Sequence, residues 1–99
     1  MAKRQRRDGP RPWARPNMDQ LEGRNIVLEA LTRKVRPVTR ILMDERTRSN
    51  PKIDHILSIA NQRNIPVHTA PREKLDGVSI TGVHNGILAE AEPLPDWTV

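Results

Sequence analysis

Val38-Thr39-Arg40-Ile41-Leu42-Met43 follows Pro37 and has a nearly continuous apolar end, the pattern of a strand buried on both faces and central in its sheet. Ser49 or Asn50 then caps a helix with Pro51 at its first position: a cap side chain satisfies an orphan N–H, and Pro has none to lose. Ile53, Ile56, Leu57 and Ala60 recur at i, i+3, i+4 and i+7, one apolar stripe of a helix that Asn64 ends. Pro66 opens the short strand Val67-His68-Thr69-Ala70. A strand, a crossover helix and a strand of this length imply a parallel pair with a right-handed crossover, so the class is α/β.

Working outward, Val27, Leu28, Leu31 and Val35 keep helical spacing between Gly23 and Lys34. Asn25 is placed to cap that helix, with Glu29 and Arg33 as an i, i+4 pair on its far side. Downstream, Pro71-Arg72-Glu73-Lys74-Leu75 predicts a short helix, Gly77, Gly82 and Gly86 punctuate an irregular stretch, and Ile87-Leu88-Ala89-Glu90-Ala91 is a third strand. A small sheet with helices packed on it suits roughly 75 residues, a size that buries only about 60% of its unfolded surface.

Both ends read differently from this middle. Residues 1–20 hold six basic side chains (Lys3, Arg4, Arg6, Arg7, Arg11 and Arg15) against Asp8 and Asp19, which is most of the net charge of +5. With Gly9, Pro10, Pro12 and Pro16 and almost no aliphatic side chains, the stretch predicts a disordered basic arm, either a tether to RNA or a solvated tail; an Arg-rich mitochondrial targeting segment is the weaker alternative, because Asp8 and the prolines spoil an amphipathic helix. After Glu92, two prolines and Trp97 give residues 93–99 the character of a linker stub. The domain proper is expected over 21–92.

Composition narrows the function. The 99 residues contain no Cys, which removes disulfides, thiolate nucleophiles and zinc knuckles and makes the reducing cytoplasm the expected compartment. No apolar run approaches the roughly 20 residues that cross a bilayer, so no membrane partner is expected. Two Trp with neither Phe nor Tyr argue against stacking single-stranded bases on exposed rings. The excess of 17 Lys and Arg over 12 Asp and Glu favours a polyanionic partner. His55, His68 and His84 are too dispersed for a metal site, and no paired carboxylates, Gly-x-Ser-x-Gly or phosphate loop suggest catalysis. His55 should face solvent, and His68 should be half buried.

Arg33, Lys34, Arg36 and Arg40 cluster around the end of the first helix and the start of the central strand, and are read as one patch beside Arg24. Arg46, Arg48 and Lys52 form a second group, and Lys52 and Arg63 are read as a solvated face. Gly23-x-Asn25 has two readings: a glycine and free N–H groups that hold a phosphate, with Arg24 and Asn25 as donors, or a turn followed by a cap worth about 1 kcal/mol. His84 and Asn85 in the glycine-rich turn either orient the loop or touch RNA.

Gly23-Arg24-Asn25-Ile26-Val27-Leu28-Glu29-Ala30-Leu31, the buried strand, the capped helix, Asn64-Ile65-Pro66-Val67, Pro71-Arg72-Glu73-Lys74-Leu75 and Gly82-Val83-His84-Asn85-Gly86-Ile87-Leu88-Ala89 follow one order. That order resembles the N-terminal substrate-binding domain of SpoU-type (TrmH-like) RNA 2′-O-ribose methyltransferases, most of all those acting on guanosine in 23S rRNA. Asn85 departs from the Gln usual there. Gly23-x-Asn25 is also similar to the helix entry of kink-turn binders, although Glu29 stands where those carry a basic residue. The resemblance implies a small three-layer α/β/α sandwich similar to kink-turn-binding ribosomal proteins. It further implies a structured RNA partner, 23S rRNA foremost, and S-adenosylmethionine in a catalytic domain beyond the linker. The fragment alone is then non-catalytic and monomeric, and full-length members are dimeric. A protein-interaction or ribosome-assembly module of the same fold is the alternative.

Overall fold

The computed structural model describes residues 12–34 and 36–94. Along the chain come β1 (Asp19–Glu22), α1 (Arg24–Arg33), β2 (Val38–Asp44), α2 (Pro51–Gln62), β3 (Val67–Ala70), α3 (Arg72–Val78) and β4 (Ile87–Ala91). The strands form one mixed sheet in the order β1-β4-β2-β3. β2 and β3 are parallel, with Ile41 opposite Val67 and Asp44 opposite Ala70, while β4 runs antiparallel to both β1 and β2. The strand-helix-strand unit thus forms as the sequence dictates, and β2 is internal.

Alternation along the strands builds two cores. Leu21, Ile41, Ile87, Ala89 and Ala91 face α1 and α2, meeting Val27 and Leu31 of the first and Ile53, Ile56, Ile59 and Ala60 of the second. Leu42 and Leu88 face the other way, against Leu75 of α3 and the ring of Trp13. Helices on both faces make the three-layer α/β/α sandwich. Asn50 caps α2 as expected, its Oδ1 accepting the Ile53 N–H at 2.9 Å, and Asn64 leaves the helix at φ 57°.

Four local expectations are corrected. Asn25 does not cap α1: Gly23 holds that position without a side-chain bond, and the Asn25 amide oxygen accepts from Lys52 instead. Gly77 lies inside α3 rather than in the loop after it. His68 is exposed rather than half buried, because β3 is a sheet edge. The arm does not extend to residue 20. Residues 19–22 pair with β4, so that Ile87–Ala91 is one of four strands, and residues 13–15 pack beside them, with Ala14 buried. Lys3, Arg4, Arg6, Arg7, Arg11, Val35 and Trp97 lie outside the described residues.

Two buried carboxylates hold the packing together. Glu90 on β4 accepts from Arg15 at 2.8 Å, Thr39 at 2.6 Å and Arg40 at 3.1 Å. Burial alone would push it up, but the bonds from Arg15, Thr39 and Arg40 hold it well below the usual carboxylate range. Glu22, at the end of β1, accepts from Ser79 at 2.7 Å, from the Ile80 N–H at 2.6 Å, and from Thr81 and Gln20. Burial opposes ionisation there too, yet bonds from Thr81, Ile80, Gln20 and Ser79 bring Glu22 down to about 2. Glu22 thereby pins the loop that follows α3.

Candidate nucleic-acid interface

The topology gathers one end of the sheet. Since β4 runs against β1 and β2, and β3 runs with β2, the C-terminal ends of β1, β2 and β3 lie beside the start of β4. Each helix begins where one of those strands stops, so α1 and α2 direct their positive N-termini to this same edge. Binding sites of α/β sheets occur at the carboxyl ends of strands for this reason.

A cleft of about 360 Å³ opens at that edge, lined by Arg24, Arg46, Arg48, Arg72, Asn50 and Asn85, among others. Arg24 and Arg72 open α1 and α3, Asn50 caps α2, and Arg46 and Arg48 belong to the loop after β2. Among the described residues, Arg24, Arg46 and Arg48 have no ion-pair partner, while Arg72 meets Asp44 at 3.3 Å. Asp44, mostly buried, also accepts the Arg46 N–H at 2.9 Å and so shapes the loop that carries the two free guanidinium groups. Arginine offers several donors in a planar fork that matches phosphate oxygens, and α1 begins with no side-chain cap, leaving first-turn N–H groups available to an anion.

The floor of the cleft is backbone. Gly23 and Gly86 adopt φ 103° and φ 82°, and Asn85 between the last His and Gly adopts φ 51°. A Cβ on Gly86 would come within 3.5 Å of Asp44 and 3.9 Å of the Arg72 guanidinium, and one on Gly23 within 3.7 Å of the Asn85 amide. The structure therefore does bring Gly23, Arg24 and Asn85 together. His84 anchors this turn from beneath: its Nδ1 accepts the Gly86 N–H at 2.9 Å, which leaves the ring proton on Nε2, directed to Asp76 at 2.7 Å. It is buried and out of reach of a ligand.

The patch of Arg24 with Arg33, Lys34, Arg36 and Arg40 does not form. The ten residues of α1 put roughly 15 Å between its two ends, so Arg33 and Lys34 lie at the far end from Arg24. There Arg33 pairs with Glu29 at 3.3 Å, and Arg36 is largely covered against Asp19. Arg40 projects from mid-strand beneath Trp13, its guanidinium 4.2 Å from the ring centroid, and binds Glu90. Arg15 is turned inward to Glu90 as well. Asn25, bonded to Lys52, belongs to a separate groove between α1 and α2. Arg46, Arg48 and Arg72 take the places of these residues at the site. The signal for them was available, because a loop after the first strand of a strand-helix-strand unit always opens at the carboxyl edge.

Chemically, the cleft suits an extended polyanion rather than a small cofactor. Among the described residues no group of three or more His, Asp or Glu converges as a metal site would need, and no helix is long and apolar enough to cross a membrane.

Residues 20–97 match the family described as RNA 2'-O ribose methyltransferase substrate binding. The chain is 34% identical over 83 residues to the 23S rRNA (guanosine-2'-O-)-methyltransferase RlmB of Pseudomonas putida, covering 81% of this chain and 33% of that protein. It is 35% identical over 71 residues to an uncharacterized tRNA/rRNA methyltransferase of Mycolicibacterium smegmatis, covering 72% of this chain and 22% of that protein. The chain thus spans about a third or less of the length of these relatives.

Proposed function

The chain belongs to the RNA 2'-O-ribose methyltransferase substrate-binding family, and we propose that it holds structured RNA, 23S rRNA foremost, for an S-adenosylmethionine-dependent methyltransferase domain on the same protein. The observation that carries this reading is the cleft of four arginines at the edge where α1 and α2 begin. Phosphates would sit on Arg24, Arg46, Arg48 and Arg72, positioning the duplex without reading its bases. The backbone turn Asn85-Gly86 lets a strand approach closely. Shape would supply the selectivity, since the cleft presents no aromatic ring on which a base could stack.

Fluorescence anisotropy with a folded rRNA hairpin and an unstructured control tests this. Removing one phosphate-binding cation should flatten the dependence of log affinity on log salt by about 0.7–0.9. Changing Arg24 and Arg48 to Ala should therefore lower the slope by about 1.5, whereas changing Arg33 and Lys34 should leave it unaltered. Equal effects from both pairs would refute the site. Binding insensitive to salt would favour an apolar protein partner instead.

A further inference from the structure

We propose that His84 is a positioning residue of the arginine cleft and that protonating it releases the RNA, an inference that rests on the RNA-binding reading above. The ring has almost no accessible surface, so it acts through the main chain around it. Its Nδ1 accepts the Gly86 N–H at 2.9 Å, and its own carbonyl accepts the Ile87 N–H at 3.0 Å. Each of those two residues passes the hold to a wall of the cleft. The Gly86 carbonyl accepts the Asp44 N–H at 2.8 Å, and Asp44 in turn binds the Arg46 main chain and the Arg72 guanidinium. The Ile87 carbonyl accepts the Gly23 N–H at 3.0 Å, directly before Arg24 at the head of α1. One buried ring thus ties the loop after β2, α3 and α1 to a common turn, and with them Arg46, Arg72 and Arg24.

The turn needs that hold. Asn85 adopts φ 51°, a left-handed conformation that side chains disfavour, and Gly86 follows at φ 82°. The bond from the Gly86 N–H to Nδ1 spans Asn85 and closes the turn. Only an unprotonated Nδ1 can accept it, and Asp76 of α3, 2.7 Å from Nε2, selects that tautomer by taking the other ring proton. A second proton would set one N–H against another inside the fold, where neither donor has water to turn to. Asn85 then loses its closing bond, and Gly86 and Asp44 lose their fixed places. The charged groups around the turn are Arg24 at the head of α1, Asp44 at the end of β2, and Arg72 and Asp76 of α3. Glu22 of β1 holds the loop before it through Ser79 and Thr81. Carboxylates and guanidinium groups ordinarily keep their charge across the histidine range, which leaves the ring as the group that changes. The sign is diagnostic. His55 and His68 are exposed, and charge gained there in acid strengthens attraction to RNA. His84 acts against that trend: the grip is complete where its ring is neutral and is lost as pH falls.

The test uses the full chain and His84→Asn, whose amide oxygen takes the place of Nδ1 as an acceptor at every pH. Affinity for the folded rRNA hairpin is read by anisotropy from about pH 8 to about pH 5.5, with the unstructured control alongside and thermal melts at each pH to verify folding. The parent's affinity for the hairpin should fall by about tenfold over that interval, while that of His84→Asn should hold or rise. Long-range proton–nitrogen NMR spectra of the free parent should show the ring proton on Nε2 at the upper pH, and the Gly86 amide signal should move as the ring titrates. The parent's profile and spectra need no substitution, so they decide the matter even where His84→Asn is destabilised. A parent affinity that is flat or rises toward acid would overturn the proposal, as would an equal fall in His84→Asn or a ring proton on Nδ1. In each of those cases the cleft reading stands if changing Arg24 and Arg48 to Ala still lowers the salt slope at about pH 8. A slope that those changes leave unaltered refutes the cleft itself.

Discussion

Changing Glu90 to Gln removes one charge from the middle of the sheet while keeping the side chain's size. The carboxylate has no accessible surface, and it accepts from Arg15, Thr39 and Arg40 at once. An amide retains one acceptor and turns an NH₂ group toward the remaining donors, so at least one guanidinium then faces a donor. Removing one partner of a fully buried ion pair costs about 3–5 kcal/mol, because the other charge is left in a dry site. Here the other charges recover water: the Arg15 side chain is 62% exposed and that of Arg40 27%. The expected loss is accordingly smaller, about 2 kcal/mol. At about 4–8 °C per kcal/mol for a domain of this size, the midpoint should fall by about 8–16 °C in a thermal melt at pH 7 followed by circular dichroism. Glu29→Gln is the control, since its pair with Arg33 is exposed on both sides and worth at most about 0.5 kcal/mol. A Glu90→Gln protein that melts within about 3 °C of the parent, or together with the Glu29 variant, would refute the reasoning.

Glu22 should govern part of the acid sensitivity. Its folded-state value of about 2 lies below the ordinary 4.5, so the stability it contributes is complete above about pH 4.5 and is lost as pH falls toward 2. Denaturant titrations at a series of pH values should show the Glu22→Gln variant less stable near neutrality and less steeply dependent on pH over that interval; parallel curves would contradict it. Asn50→Ala removes the acceptor for the Ile53 N–H and should cost about 1 kcal/mol in the same titrations, an unchanged midpoint being the contrary result.

The strand-helix-strand unit was legible because its signals are local and agree. The apolar end of β2, the cap and Pro51, the stripe of α2 and Pro66 each act within a few residues, and the α/β class follows from their order. β1 was not legible, because Asp19-Gln20-Leu21-Glu22 contains a single aliphatic residue and follows a stretch rich in proline and charge. It is a strand because β4 offers it an edge, and because Gln20 and Glu22 are occupied by distant partners, Val78 and the loop at 79–81. Glu90 misleads in the same way. A strand of apolar residues around one carboxylate gives no hint that Arg15, 75 residues away, supplies its counter-charge.

The same non-locality explains why charge in the sequence is a poor guide to the site. Counting cations singles out Arg33, Lys34, Arg36 and Arg40, which are dense along the chain, yet Arg33, Arg36 and Arg40 each face a carboxylate in the fold. An arginine already holding a carboxylate must exchange one anion for another to take a phosphate, and gains little by it. Arg46 and Arg48 are fewer and no denser, but Asp44 bonds to the Arg46 main chain rather than to its guanidinium, so it orders the loop and leaves both side chains without an ion-pair partner among the described residues. Arg72 is the intermediate case. Its bond to Asp44 is long at 3.3 Å and open to solvent, so under the proposed function it would be surrendered to a phosphate held by Arg24, Arg46 and Arg48, which have no ion-pair partner among the described residues. Fold topology thus selects the candidate interface twice, by collecting the strand ends and by deciding which cations the domain neutralises itself.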